Sequence, residues 1–151
     1  MRCGWIFIST PEWGMWIGVA MKIKPDKNDI LFSKMIRERD RACVFCGKTA
    51  DEGKLECSHF WGRGDKVNRF NPLNCDTLCF YCHLQNEGNK QGFYRRWKLA
   101  QLGEGVYKDI ENDHYKKTKK YGKAEKINLH NILITQYKNK SHLQQNWVVE
   151  W

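Results

Sequence analysis

The sequence predicts a small α+β protein centred on a bound metal, with helices added on its C-terminal side. Three observations lead there. Two C-x-x-C pairs, Cys43/Cys46 and Cys79/Cys82, stand roughly a hairpin's length apart. Short strand-like stretches and turn residues lie between them. Outside them, apolar residues recur at helical spacing. At 151 residues and 41% hydrophobic content, the chain can bury one modest core.

The first segment stands apart. "WIFISTPEWGMWIGVAM" is apolar, but Pro11 and Glu12 interrupt it, so it does not read as a membrane span. Arg2 precedes the apolar run, yet no clean small-residue cleavage site follows. Met21 opens "MKIKPDKNDILFSK", which has the look of an ordinary cytosolic N-terminus. Residues 1–27 are therefore expected to be a weakly structured extension or a mis-called start.

From 28 to 40, Leu31, Phe32, Met35 and Ile36 predict a short amphipathic helix running into "CVFCGK". Gly47 suits the tight turn that a thiolate pair demands. "KLECSHF" (54–60) reads as a strand, "WGRGDK" as a glycine-rich loop, "VNRF" (67–70) as a second strand and "NPLN" as a turn. "LCFYCHLQNEG" should open a short helix. Phe93, Trp97, Leu99 and Leu102 give another helical pattern up to Gly103, and Val106, Tyr107 and Ile110 repeat it. Phe93, Trp97 and Tyr107 are most simply core. The lysine run "KKTKKYGK" (116–123) precedes a last helix over 124–138, with Ile127, Ile132, Leu133, Ile134 and Tyr137 inward. This divides the chain into an extension (1–27), a principal domain (28–111) and a basic linker with a C-terminal helix and tail (112–151).

Lys and Arg number 26 against 17 Asp and Glu, a net charge of +9. Such an excess suits a polyanion, nucleic acid or an anionic membrane surface; its plainer use is solubility. Seven cysteines is an odd count, which argues against a secreted disulfide scaffold and for a reducing compartment, the cytoplasm. Cys79, Cys82 and His83 spell C-x-x-C-H, the attachment pattern of a c-type haem, but haem leaves Cys43/Cys46 unexplained. Four thiolates from two tight turns suit tetrahedral structural Zn²⁺ instead, and leave His83 for other work.

With His59 upstream and Asn74 nine positions before His83, the pattern resembles the HNH nucleases of the zinc-knuckled branch. "ECSHFWGRGDKVNRFNPLNCDTLCFYCH" followed by "FYRRWKLAQLGEGVYKDIE" is similar, more narrowly, to phage recombination proteins of the NinG/Rap type, over roughly 39–111. The resemblance implies a ββα-metal (HNH) core. It implies His59 as general base, Asn74 as the residue that orients it and braces the loop, and His83 as ligand of a catalytic divalent cation (Mg²⁺, Mn²⁺, Ni²⁺ or Zn²⁺). The family often places a metal-binding Asp or His just before the base; here that residue is Ser58. Glu56 lies on the same strand face as Ser58, and NinG-type proteins carry an acid three before the histidine, which makes Glu56 the second ligand.

Taken singly, His59 could be an ordinary strand histidine, Asn74 a turn residue and His83 a packing residue. Their joint spacing with the cysteines favours the site. Arg63 and Arg69 flank the glycine loop, either as a phosphate clamp or as solvated charge. Arg95, Arg96 and Lys98 would add non-specific attraction to the DNA backbone. Trp61 either packs over the site or stacks on a base. The expected function is a metal-dependent DNA endonuclease in phage or prophage recombination or DNA processing, in the cytoplasm of a bacterial host. Branched or junction DNA is a candidate substrate, and a homodimer would match the two-fold symmetry of a four-way junction. The alternative is a zinc-braced DNA-binding module without catalysis.

Overall fold

A computed structural model describes residues 25–86, 92–116, 121–144 and 147–150. The expectations for residues 1–24 and for half of the lysine run (117–120) lie outside the described residues.

Helix α1 (Lys27–Asp40) begins at a capping box: Asp26 accepts from the N–H groups of Asn28 and Asp29, and Asp29 accepts from that of Asp26. It ends at Arg41, which takes the left-handed conformation (φ 62°). Phe32, Met35 and Ile36 are buried as the spacing predicts.

The sheet has two antiparallel strands, β1 (Leu55–His59) and β2 (Cys75–Cys79), with Leu55 opposite Cys79 and His59 opposite Cys75. Helix α2 (Phe80–Asn86) follows β2 directly, giving the order β–β–α. Strand β2 is not where the sequence suggested a partner for β1. Val67–Phe70 lies in turns, because Asp65 Oδ1 accepts from the N–H groups of Val67 and Asn68, and Asn71 N–H donates to Asn68 O. Such side-chain bonds compete with a ladder. Each residue of β2 is buried, so its sequence "CDTLC" shows no alternation to read.

Helix α1 is tied to β2 at its C-terminal end. Thr77 N–H donates to Asp40 Oδ2 (2.8 Å), and Arg39 donates to the carbonyls of Pro72 and Cys75. Helix α3 (Phe93–Lys116) is broken at Gly103, whose φ of 75° only glycine adopts readily. Its Tyr94, Tyr107 and Ile110 pack with Phe60 and Trp61. Phe93 is exposed rather than core, and Trp97 is partly buried.

Helix α4 (Lys123–Lys138) lies against α1. Leu129 and Leu133 are fully buried with Phe32, Met35, Ile36, Phe70 and Trp147, while Ile127, expected inward, is exposed. Asn28 joins the two helices: its Nδ2 donates to Lys126 O, and its Oδ1 meets His130 Nδ1 at 2.7 Å. Among the described residues no helix is long and apolar enough to cross a membrane.

Candidate functional site

The first knuckle is a tight turn. Cys43 N–H donates to Lys48 O, Gly47 N–H donates to Cys43 O, and Gly47 sits at φ 76°. Val44 N–H reaches Thr77 O, which hangs the turn on β2. The second knuckle spans the end of β2 and the start of α2, and brings Cys79 and Cys82 to face the first. The sulfurs of Cys43, Cys46, Cys79 and Cys82 all lie within 4.8 Å of one another. Cys46 and Cys79 are 3.7 Å apart, close to the roughly 3.8 Å edge of a tetrahedron with metal–sulfur bonds of about 2.3 Å. These four cysteines could hold a metal ion. Burial opposes ionisation of Cys43, but hydrogen bonds from the backbone of Cys79, Cys46 and Phe45 bring its thiol down to about 7. Burial and the neighbouring thiols push Cys82 well up. A bound cation would favour the thiolate of each.

Beside the knuckles, two cavities of about 380 and 280 Å³ adjoin. Both are lined by Ser33, Arg37, Cys57 and Arg63, so together they make one groove between α1 and β1. Glu56 and His83 stand at one end and His59 at the other. His83 Nδ1 and Glu56 Oε2 are 2.8 Å apart, and Lys54 pairs with the other carboxylate oxygen at 2.7 Å. Burial tends to raise the Glu56 carboxyl, but the bonds from Lys54 and His83 outweigh it and hold the group below the usual range.

His59 Nε2 lies 3.1 Å from Arg69 O. A carbonyl only accepts, so Nε2 carries the proton and the Nδ1 lone pair is left. Burial, then the nearby Arg63 charge, lowers the imidazole to about 4. His59 is therefore neutral at physiological pH.

Asn74 is buried, and its side chain hydrogen-bonds to the loop rather than to His59. Its Oδ1 accepts from Trp61 N–H (2.8 Å), and its Nδ2 donates to Trp61 O (2.9 Å) and Asn68 O (3.0 Å). It thus braces both ends of the loop that presents Arg69 O to His59. Trp61 packs at this loop, stacked on His114 at 4.0 Å. Ser58 is buried on the side of Tyr94, away from any ligand role.

The basic residues divide. Arg63 is exposed on the groove wall. Arg69 is not a free phosphate clamp: Nε and Nη2 bind both oxygens of Asp29 (2.9 and 2.6 Å), with both side chains largely buried. Lys98, expected to face DNA, is buried. Its Nζ meets Asp76 Oδ2 (2.7 Å), Leu73 O (2.6 Å) and Gln101 Oε1 (3.1 Å). A charge with three buried partners leaves none for phosphate. Arg95 lies over the Tyr107 ring and Arg96 is exposed, both on α3 rather than in the groove lining.

Residues 22–146 match the family model described as Bacteriophage Lambda NinG protein. The chain belongs to the NinG family. No curated protein and no solved structure matches it. Among the groove residues of this NinG-family chain that the sequence reading passed over, Arg37 carries a positive charge. Its signal was present: Asp29, Ser33 and Arg37 recur every fourth residue on α1, a polar stripe beside the apolar face, and all three line the groove.

Proposed function

We propose that this protein is a metal-dependent DNA endonuclease of the HNH type, acting in phage recombination. The observation that carries the reading is the single groove that joins His59 to the Glu56–His83 pair between Arg37 and Arg63. The β1–β2–α2 order and the family membership support it.

Glu56 and His83 would hold the catalytic cation. Their facing atoms, His83 Nδ1 and Glu56 Oε2, are 2.8 Å apart, close enough to be offered to one ion. A bound cation would take the place of the proton between them. When bound, it would polarise the scissile phosphate and stabilise the departing oxygen. His59 takes the proton of the attacking water on Nδ1, with Nε2–H anchored on Arg69 O. Arg63 and Arg37 draw the DNA backbone into the groove. Zinc on Cys43, Cys46, Cys79 and Cys82 braces β2 and α2, and so places His83.

The test is cleavage of plasmid, linear and four-way-junction DNA with added Mg²⁺, Mn²⁺, Ni²⁺ or Zn²⁺, with EDTA as control. His59→Ala should lose about 10²–10⁴-fold in rate while binding DNA as before, since the base contributes little to the bound ground state. Wild-type protein that binds DNA, yet cuts no form of it better than His59→Ala does, would leave the non-catalytic zinc-braced DNA-binding module as the function.

A further inference from the structure

A second group of metal-type ligands lies at the other end of the sheet, where His59 pairs with Cys75 rather than Leu55 with Cys79. Cys57 and His59 are two residues apart on β1 and so share a face, and Cys75 stands directly opposite His59 on β2. The two sulfurs and a ring nitrogen of His59 all lie within 4.8 Å of one another. None of the three belongs to the four-cysteine centre. We propose that Cys57, Cys75 and His59 form a second metal site for one thiophilic divalent cation of the zinc class, and that filling it withdraws His59 from catalysis. The second half of this proposal rests on His59 being the base.

Four features favour a metal over a chance cluster. The ring is already set as ligating histidines are: Nε2–H is donated to the Arg69 carbonyl, which fixes the tautomer and leaves the Nδ1 lone pair. The charges match the surroundings. A dication with two thiolates and a neutral imidazole is uncharged, as suits a pocket walled by Phe32, Met35 and Phe70. The balance is simple: the ion enters, two thiols become thiolates, and two protons leave. Access is one-sided, because Cys57 and His59 line the groove while Cys75 is fully buried. Three protein ligands leave a fourth position for water or phosphate, as in an exchangeable site.

Softness separates this site from the one at Glu56 and His83. Mg²⁺ prefers oxygen and leaves thiolates alone, whereas Zn²⁺, Cd²⁺ and Co²⁺ take sulfur. A nuclease working with Mg²⁺ would therefore stop when a thiophilic ion reached His59, since one lone pair cannot hold both a metal and a proton.

The experiment titrates Cd²⁺ into the full chain already loaded with one equivalent of Zn²⁺. A second equivalent should bind, with a sulfur-to-metal charge-transfer band and release of two protons. The Cys57→Ala, Cys75→Ala double variant should lose that equivalent and keep the first. His59→Gln, which spares both buried thiols, should weaken it by about tenfold or more. Saturation of the wild-type chain at one equivalent would overturn the site, and so would a second equivalent undiminished in His59→Gln. In Mg²⁺-supported cleavage, the second ion should inhibit wild type reversibly by chelator. Bound Cd²⁺ with cleavage undiminished would overturn the inhibitory role. No cleavage with Mg²⁺, Mn²⁺, Ni²⁺ or Zn²⁺ even before Cd²⁺ is added would overturn the nuclease reading instead and leave the metal site standing.

Discussion

Replacing Lys98 with Met asks whether its charge faces DNA or the core. The side chains of Lys98 and Asp76 are 2% and 0% exposed, and Nζ has three oxygen partners. Met keeps the length and removes the charge. Asp76 would then retain the Tyr94 hydroxyl at 2.8 Å and a long contact from Gln101 at 3.5 Å, with only the more distant Arg39 charge acting on it. Breaking a buried pair from one side commonly costs about 3–5 kcal/mol. The surviving Tyr94 bond puts this case at the low end, about 3 kcal/mol. For a chain of this size that is roughly 6–12 °C in Tm. Chemical and thermal unfolding would measure it. The salt dependence of DNA binding, read on the same variant below its Tm, should keep the wild-type slope. A stable variant whose salt slope falls by about one would refute the reasoning and put Lys98 on the DNA.

Three further outcomes are expected. Cys79→Ser should lose the ion of the four-cysteine centre and much of the fold with it, read by metal content and circular dichroism; a folded, metal-free variant would remove the structural role. Arg63→Ala should weaken DNA binding and lower the salt slope by about one, whereas Arg69→Ala should cost stability through its pair with Asp29. His59 should make the fold acid-sensitive. Its folded value of about 4 lies below the ordinary 6.5, so its contribution is complete above about pH 6.5 and is lost as pH falls towards 4, by up to about 3 kcal/mol. His59→Ala should lack that loss in stability curves taken across the window, and parallel curves would count against it.

What could be read from the sequence was what local spacing encodes. Two C-x-x-C pairs converge because each is one tight turn, and the strand Leu55–His59 falls within the stretch 54–60 that turn residues bound. The helices over 28–40 and 124–138 follow from apolar periodicity. Burial of charge was not legible. Arg69 and Lys98 look like any surface cations until Asp29 and Asp76 close on them, each partner far away in sequence. Strand β2 was hidden because it is buried on both faces and overlaps the knuckle. Asn74 could be named from the pattern, but not its partners, the backbone of Trp61 and Asn68, which only the folded loop brings to it.

The first turn of α1 is where the chain closes on itself. Asp29 completes the helix cap and also grips Arg69, the residue whose carbonyl fixes the His59 ring. One position before it, Asn28 clasps His130, 102 residues further along. A single helical turn is thus a buckle between the C-terminal helix and the groove. Slack in the far third of the sequence reaches His59 through Asn28, Asp29 and Arg69, so the aim of that ring is a property of the whole closed chain rather than of the strand that carries it.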